Sequence, residues 1–227
     1  MCRAAERVHP LTSAAAARSL SRLGMQREER SERSRRQVLD AALQLFSHRG
    51  YRATTMRDIA EEAGVSTGNV YHHFSDKEAI FRTLLDEFWQ ITATRRYPFI
   101  RALVGGQFPD DIEQLGVAAR DSVREFRQYV ALIYVDVIEF DGTHIRKFYS
   151  EMGQRISATL GEEAMQRIAS RLRPNVSPVS ALLLTTRIFF NYFIIEILFN
   201  VAEPFGKESG EVIREIADIL RNGMLEV

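Results

Sequence analysis

The sequence predicts an all-α protein: an N-terminal three-helix helix-turn-helix domain followed by a C-terminal helical bundle. Three observations lead there. Apolar residues recur at helical spacing nearly throughout. No segment alternates apolar and polar residues as a half-buried strand would. Glycine and proline, 13 and 6 of 227 residues, punctuate the pattern sparsely.

From Ser34 to His48, Val38, Ala42, Leu45 and Phe46 form one apolar stripe, which Gly50 ends. A short helix over Met56–Ala63 follows, with Ile59, Ala60 and Ala63 inward and Thr55-Met56-Arg57-Asp58 as a capping box. Gly64 closes it, and Ser66 is placed to cap a third helix over Thr67–His73. Ser75-Asp76-Lys77-Glu78 reads as a second capping box, opening a long fourth helix to about Tyr97, where Pro98 interferes. Gly105-Gly106 and Pro109-Asp110 mark a loop. Helices are expected near 111–126, 128–140, 143–172, 178–202 and 209–224, with Asp141-Gly142, Pro174–Pro178 and Pro204-Phe205-Gly206 as breaks. Three regions result: an arm over 1–30, disordered or frayed; a helix-turn-helix domain over 31–77; and a helical domain over 78–227.

Hydrophobic residues make up 45% and charged residues 26%, enough for a buried core. The single cysteine, Cys2, excludes an intramolecular disulfide and fits a reducing cytoplasm. Net charge is zero, but residues 1–82 carry 14 basic and 10 acidic side chains against 16 and 20 in the remainder. A positive front on a negative body orients a protein on a polyanion. The first 30 residues, rich in Arg, Ala and Ser, faintly resemble a transit peptide. An arm, or an extension ahead of a start at Met25, is the better expectation. Val179–Phe199 is long and apolar enough to span a bilayer. Its Arg187 and Glu196 stand nine residues apart, on opposite sides of a helix, so neither shields the other from lipid. A buried helix is expected.

Function is most legible at residues 56–74. Ala60 is small because the second helix must lie close across the first, Gly64 permits a sharp turn, and Val65 plugs the angle between the helices. A helix-turn-helix puts the N-terminal end of the following helix into the major groove. That end reads Thr67-Gly68-Asn69-Val70-Tyr71-His72-His73-Phe74, whose hydroxyl, amide, phenol and imidazole groups bond to base edges or phosphates. Adjacent His72 and His73 diverge by 100° and have no third ligand in reach, so no metal is expected.

Residues 33–84 resemble the DNA-binding domain of the tetracycline-repressor (TetR) family. Phe46, Gly50, Thr55, Ile59, Ala60, Ala63, Gly64, Val65, Ser66, Gly68, Tyr71, Phe74 and Lys77 fall in register with the family pattern. The resemblance covers about a quarter of the chain. It implies phosphate contacts from Thr55, Tyr71 and Lys77, and base contacts from Thr67, Gly68, Asn69 and His72, with Arg33 and Arg36 as further candidates for the backbone. The family often has a basic residue or proline at the place of Thr67 and a small residue at that of Asn69, so no operator sequence carries over.

The resemblance also implies a cavity among the middle helices that admits a small apolar effector. Candidate lining residues are Trp89, Phe126, Tyr134, Glu139, Phe189, Asn191 and Phe193, with Asp136 and Arg187 as further polar groups in apolar surroundings. Periodicity does not separate such a lining from core. The helix near 178–202 is apolar almost all round and the last is amphipathic, which favours a homodimer through these two. Ile195 and Ile216 are the expected interface positions. No nucleophile–base pattern, phosphate loop or dinucleotide motif is present, so no enzyme and no cofactor are expected. The expectation is a regulator, a repressor rather than an activator, binding a palindromic operator in double-stranded DNA as a dimer and released by its effector. A helical interaction module that no longer binds DNA, or an activator of the same family, is the alternative.

Overall fold

In a computed structural model, residues 11–224 are described, with side chains for 25–223. They fold into eleven α-helices and one π-helical turn, with no strand among the described residues. The head consists of α1 (Leu11–Arg49), α2 (Met56–Glu62) and α3 (Thr67–His73). Then come α4 (Lys77–Ile91), α5 (Pro98–Gly105), α6 (Ile112–Glu125), α7 (Arg127–Phe140), α8 (Arg146–Leu160), α9 (Glu162–Ala169), α10 (Pro178–Phe193) with its π turn Ile194–Leu198, and α11 (Ser209–Met224).

Local chemistry sets the boundaries. Thr55 caps α2 in a reciprocal box with Asp58: the Asp58 N–H donates to Thr55 Oγ1, and the Thr55 N–H donates to the Asp58 carboxylate. Ser66 caps α3 by accepting from the Asn69 N–H at 3.2 Å. At α4 the cap is Asp76, accepting from the Ala79 N–H at 2.7 Å, rather than the expected Ser75, whose hydroxyl donates to Asp76 instead. Gly64 takes φ +66° in the turn between α2 and α3, where a Cβ would be strained.

Helix bounds differ from expectation at four places. The first helix starts at Leu11, not near Ser34, so residues 11–30 of the expected arm are continuous with it; residues 1–10 of that arm lie outside the described residues. α4 stops at Ile91, because Thr92 and Thr94 turn their hydroxyls onto the carbonyls of Trp89 and Ile91. Pro98 then opens α5 where no helix is expected, since a proline that disrupts one helix suits the first turn of the next. The expected helix over 143–172 is two, divided at Gly161 with φ +80°.

Two apolar cores hold the molecule. In the head Phe46, Ile59, Val70 and Phe74 are buried with Phe81 and Leu84 of α4, and Leu132 of α7 and Ile145 join them from the body. The body core gathers Phe88, Leu115, Phe126, Phe189, Phe193 and Ile213. At Gly116 a Cβ would sit 2.7 Å from the Phe189 ring and 2.9 Å from Ile213, so α6 packs there without room for a side chain. Gly116→Ala should therefore destabilise by about 1–3 kcal/mol through overpacking, read as a lowered urea midpoint.

α10 with its π turn is apolar and long enough to cross a membrane, by length and composition. One face is buried through Ala181, Leu182, Thr185, Phe189, Tyr192 and Phe193. The other is open, with Leu184 at 53% and Ile188 at 38% exposure, and Ile219 of α11 is exposed as well, at 70%. In the single chain the helix is thus half-buried, with one face packed and the other left to be covered.

Candidate nucleic-acid interface and effector cavity

The head presents the start of α3 outward. Gly68, Tyr71 and His72 are exposed, Tyr71 at 55%, while Val70 and Phe74 hold the opposite face in the core. The Val65 N–H donates to the Ala60 carbonyl at 3.0 Å across the turn, fixing α3 against α2. Thr67 is half-buried at the first position of α3. Asn69 is anchored: its Oδ1 accepts from the Ser34 hydroxyl of α1 at 2.5 Å, leaving its amide N–H groups to donate. Arg33 is exposed on α1, with no ion pair among the described residues.

Three candidate phosphate contacts are engaged inside the protein. The Thr55 hydroxyl serves the capping box, donating to Asp58 at 2.7 Å. Arg36 turns toward the body, bonding Asp40 at 2.6 Å and Glu87 of α4 at 2.8 Å. Lys77 donates through Nζ to the Tyr51 and Thr54 carbonyls, both at 2.6 Å, and lies over the Tyr51 ring. Burial lowers its pKa, against the opposing pull of Glu139 and Asp58. Sequence spacing places Lys77 in the first turn of α4 but is blind to the two loop carbonyls that converge there. Lys77→Met should thus destabilise the head by about 1–2 kcal/mol, a low figure because water still reaches the ammonium. Its DNA affinity should keep the salt slope of the parent; a slope reduced by about one would return Lys77 to the phosphates.

Head and body are clasped at the end of α7. The Glu139 carboxylate accepts from the N–H groups of Tyr51 and Arg52, at 2.9 and 2.7 Å. Gly50, at φ +84°, is required there, because a Cβ would stand 2.8 Å from that carboxylate. Phe140 stacks on Phe81 and packs on Tyr51. Asp136, fully buried, accepts from the Ile145 N–H at 3.1 Å and pairs with His144 Nδ1 at 2.6 Å, while the far nitrogen of His144 faces Glu78 at 3.6 Å. Glu139 and Asp136 therefore serve this clasp and not the cavity. His144 escaped the sequence reading, since a lone histidine after a Gly-Thr turn carries no local signal.

The cavity lies in the body and has a volume of about 720 Å³. Of the candidate lining residues Trp89, Tyr134 and Asn191 face it. Phe126, Phe189 and Phe193 instead fill the core, at 5%, 0% and 0% exposure, because they sit on helix faces turned toward neighbouring helices. The wall of α8, with Phe148, Tyr149, Met152 and Arg155, was not anticipated. Trp89 stacks on Phe148 with ring centroids 3.8 Å apart. α4 thus has its first turn in the head and its last in the cavity wall, through Phe88, Trp89 and Thr92. No group of three or more potential metal ligands occurs among the described residues.

Comparisons with known proteins agree with this layout. Residues 38–84 match the family described as bacterial regulatory proteins, tetR family. The HTH-type transcriptional repressor KstR2 of Rhodococcus jostii is 50% identical over 54 residues, which is 24% of this chain and 26% of that protein, so the match spans about a quarter of the repressor's length. The solved structure of the ketosteroid transcriptional regulator KstR2 of Mycobacterium tuberculosis superposes with a TM-score of 0.56 at 20% identity, covering 85% of this chain and 95% of that one, which carries the fold beyond the head. The HTH-type transcriptional regulator BetI of Paraburkholderia xenovorans is 30% identical over 164 residues, covering 67% of this chain and 80% of that protein. With motif, fold and a relative matched over most of its length, the chain belongs to the TetR family of bacterial regulatory proteins.

Proposed function

We propose that the protein is a cytoplasmic repressor that binds a palindromic operator as a homodimer and releases it when a small, largely apolar effector enters the body. The observation that carries this reading is the span of α4, which opens beside the DNA-facing helix and ends in the wall of a cavity of about 720 Å³. An effector seated against Trp89 bears on the element that sets the angle of the head. It must prefer the form whose heads are misplaced for DNA, since equal binding to both forms shifts nothing. Two heads about 34–36 Å apart meet successive major grooves, and the exposed apolar strip of Leu184, Ile188 and Ile219 supplies the surface to pair them.

Reading of the operator falls to the start of α3. With its oxygen held by Ser34, Asn69 offers donors, which suit acceptor edges such as N7 and O6 of guanine. Selection of binding sites from random duplex DNA, followed by fluorescence anisotropy, tests the reading. Asn69→Ala should relax preference at one or two base pairs per half-site, by about 1–3 kcal/mol. Tyr71→Ala should weaken all duplexes alike. Failure of the full chain to enrich any sequence would count against a DNA-binding role.

A further inference from the structure

We propose that the effector is an amphipathic carboxylate, its anionic head held by Arg187 beside Tyr149 and its apolar body laid against the Trp89–Phe148 stack. The inference rests on the effector-released reading and names the chemistry of the effector.

Charge in the cavity points one way. Its wall contains no Asp, Glu or Lys, and its charged side chains are Arg155 and Arg187. Arg155 is already compensated, bonding Glu151 at 3.1 Å and lying over the Phe148 ring. Arg187 forms no hydrogen bond or ion pair among the described residues. Asn191, one turn further along α10, faces the same space. Tyr149 of α8 stands within electrostatic reach of both the Arg187 guanidinium and the Tyr134 hydroxyl of α7. Burial pushes the Tyr149 phenol above its ordinary pKa, so it stays a neutral donor.

One uncompensated guanidinium, with neutral phenol and amide donors beside it, matches a single negative charge. A carboxylate accepts two parallel N–H bonds from a guanidinium, and Arg187, Asn191 and Tyr149 are all exposed, so the charged head sits where solvent still reaches while the apolar body goes inward. A neutral ligand would leave the Arg187 charge unmatched, and a cation would meet two guanidiniums and no acid. The rest of the wall is aromatic and aliphatic, which suits an alkyl or polycyclic body of drug-like size. Held this way, the ligand bridges α10 and α8 at its head and α4 at its tail.

Trp89 is the only tryptophan in the chain, so its emission reports on the cavity directly. The full chain is titrated with dodecanoate and dodecyltrimethylammonium below their micellar concentrations and with dodecanol below its solubility limit. Dodecanoate should bind at least about tenfold more tightly than dodecanol, and the ammonium more weakly than either. Arg187→Met should bring dodecanoate to the affinity of dodecanol and leave dodecanol unchanged. Binding of dodecanol to that variant also verifies that its cavity is intact. Arg187→Lys should restore part of the preference, and Arg155→Gln should leave most of it. Equal affinity for the three heads, or a loss in Arg187→Met common to all ligands, overturns the carboxylate assignment and leaves the effector reading standing. If none of the three ligands changes Trp89 emission or the melting temperature, both fall.

Discussion

Asp136→Ala should destabilise the protein by about 2–4 kcal/mol, seen as a lower urea midpoint with an unchanged slope. The carboxylate is fully buried and is the acceptor for both the Ile145 N–H and His144 Nδ1. Removing it leaves a buried amide without an acceptor, at about 1–3 kcal/mol, and leaves His144 with Glu78, 3.6 Å away, as its remaining acidic neighbour. Asp136→Asn, which keeps one acceptor oxygen, should lose about half as much. The damage should concentrate where α7 meets the head, so amide exchange around Tyr51 and Arg52 should quicken more than in α6. An alanine variant as stable as the parent would mean that the clasp is replaced by water at no cost.

The second large effect is expected at the open apolar strip. Leu184→Glu with Ile219→Glu should give a folded monomer in sedimentation equilibrium whose operator affinity falls on the order of a hundredfold or more, because two linked heads no longer bind together. Both positions are more than half exposed, so the charges meet water in the single chain. Ile195 and Ile216, the positions favoured by periodicity, are poor choices. Ile216 is 7% exposed in the body core and Ile195 faces the cavity, so glutamate there would bury a charge and unfold the bundle. A doubly substituted protein that remained dimeric would place the interface elsewhere.

The contrast between these two pairs marks what the sequence discloses. The head was legible because its determinants are local: a cap three residues from its partner, a glycine in a turn, a small residue where helices cross. Thr55, Gly64 and Ser66 each declare themselves within a few positions. The body is assembled by contacts between distant segments. Phe189 and Phe193 were expected to line the cavity and fill the core instead, because whether their face meets another helix or an open space depends on α6 and α11. Glu139 looked like a polar group lost in an apolar stripe. Its partners, the amides of Tyr51 and Arg52, lie 88 and 87 residues away, and backbone groups leave no trace in a pattern of side chains. The break at Gly161 was missed because one glycine in an otherwise helical run is compatible with either outcome.

The span of α4 has a thermodynamic corollary. With its first turn in the reading head and Trp89 in the cavity wall, any coupling it transmits is a single free energy belonging to both sites. Whatever factor the effector removes from operator affinity, the operator must remove from effector affinity. The operator-bound protein should therefore titrate at a higher effector concentration than the free protein. The displacement between the two curves equals the factor by which saturating effector weakens DNA binding.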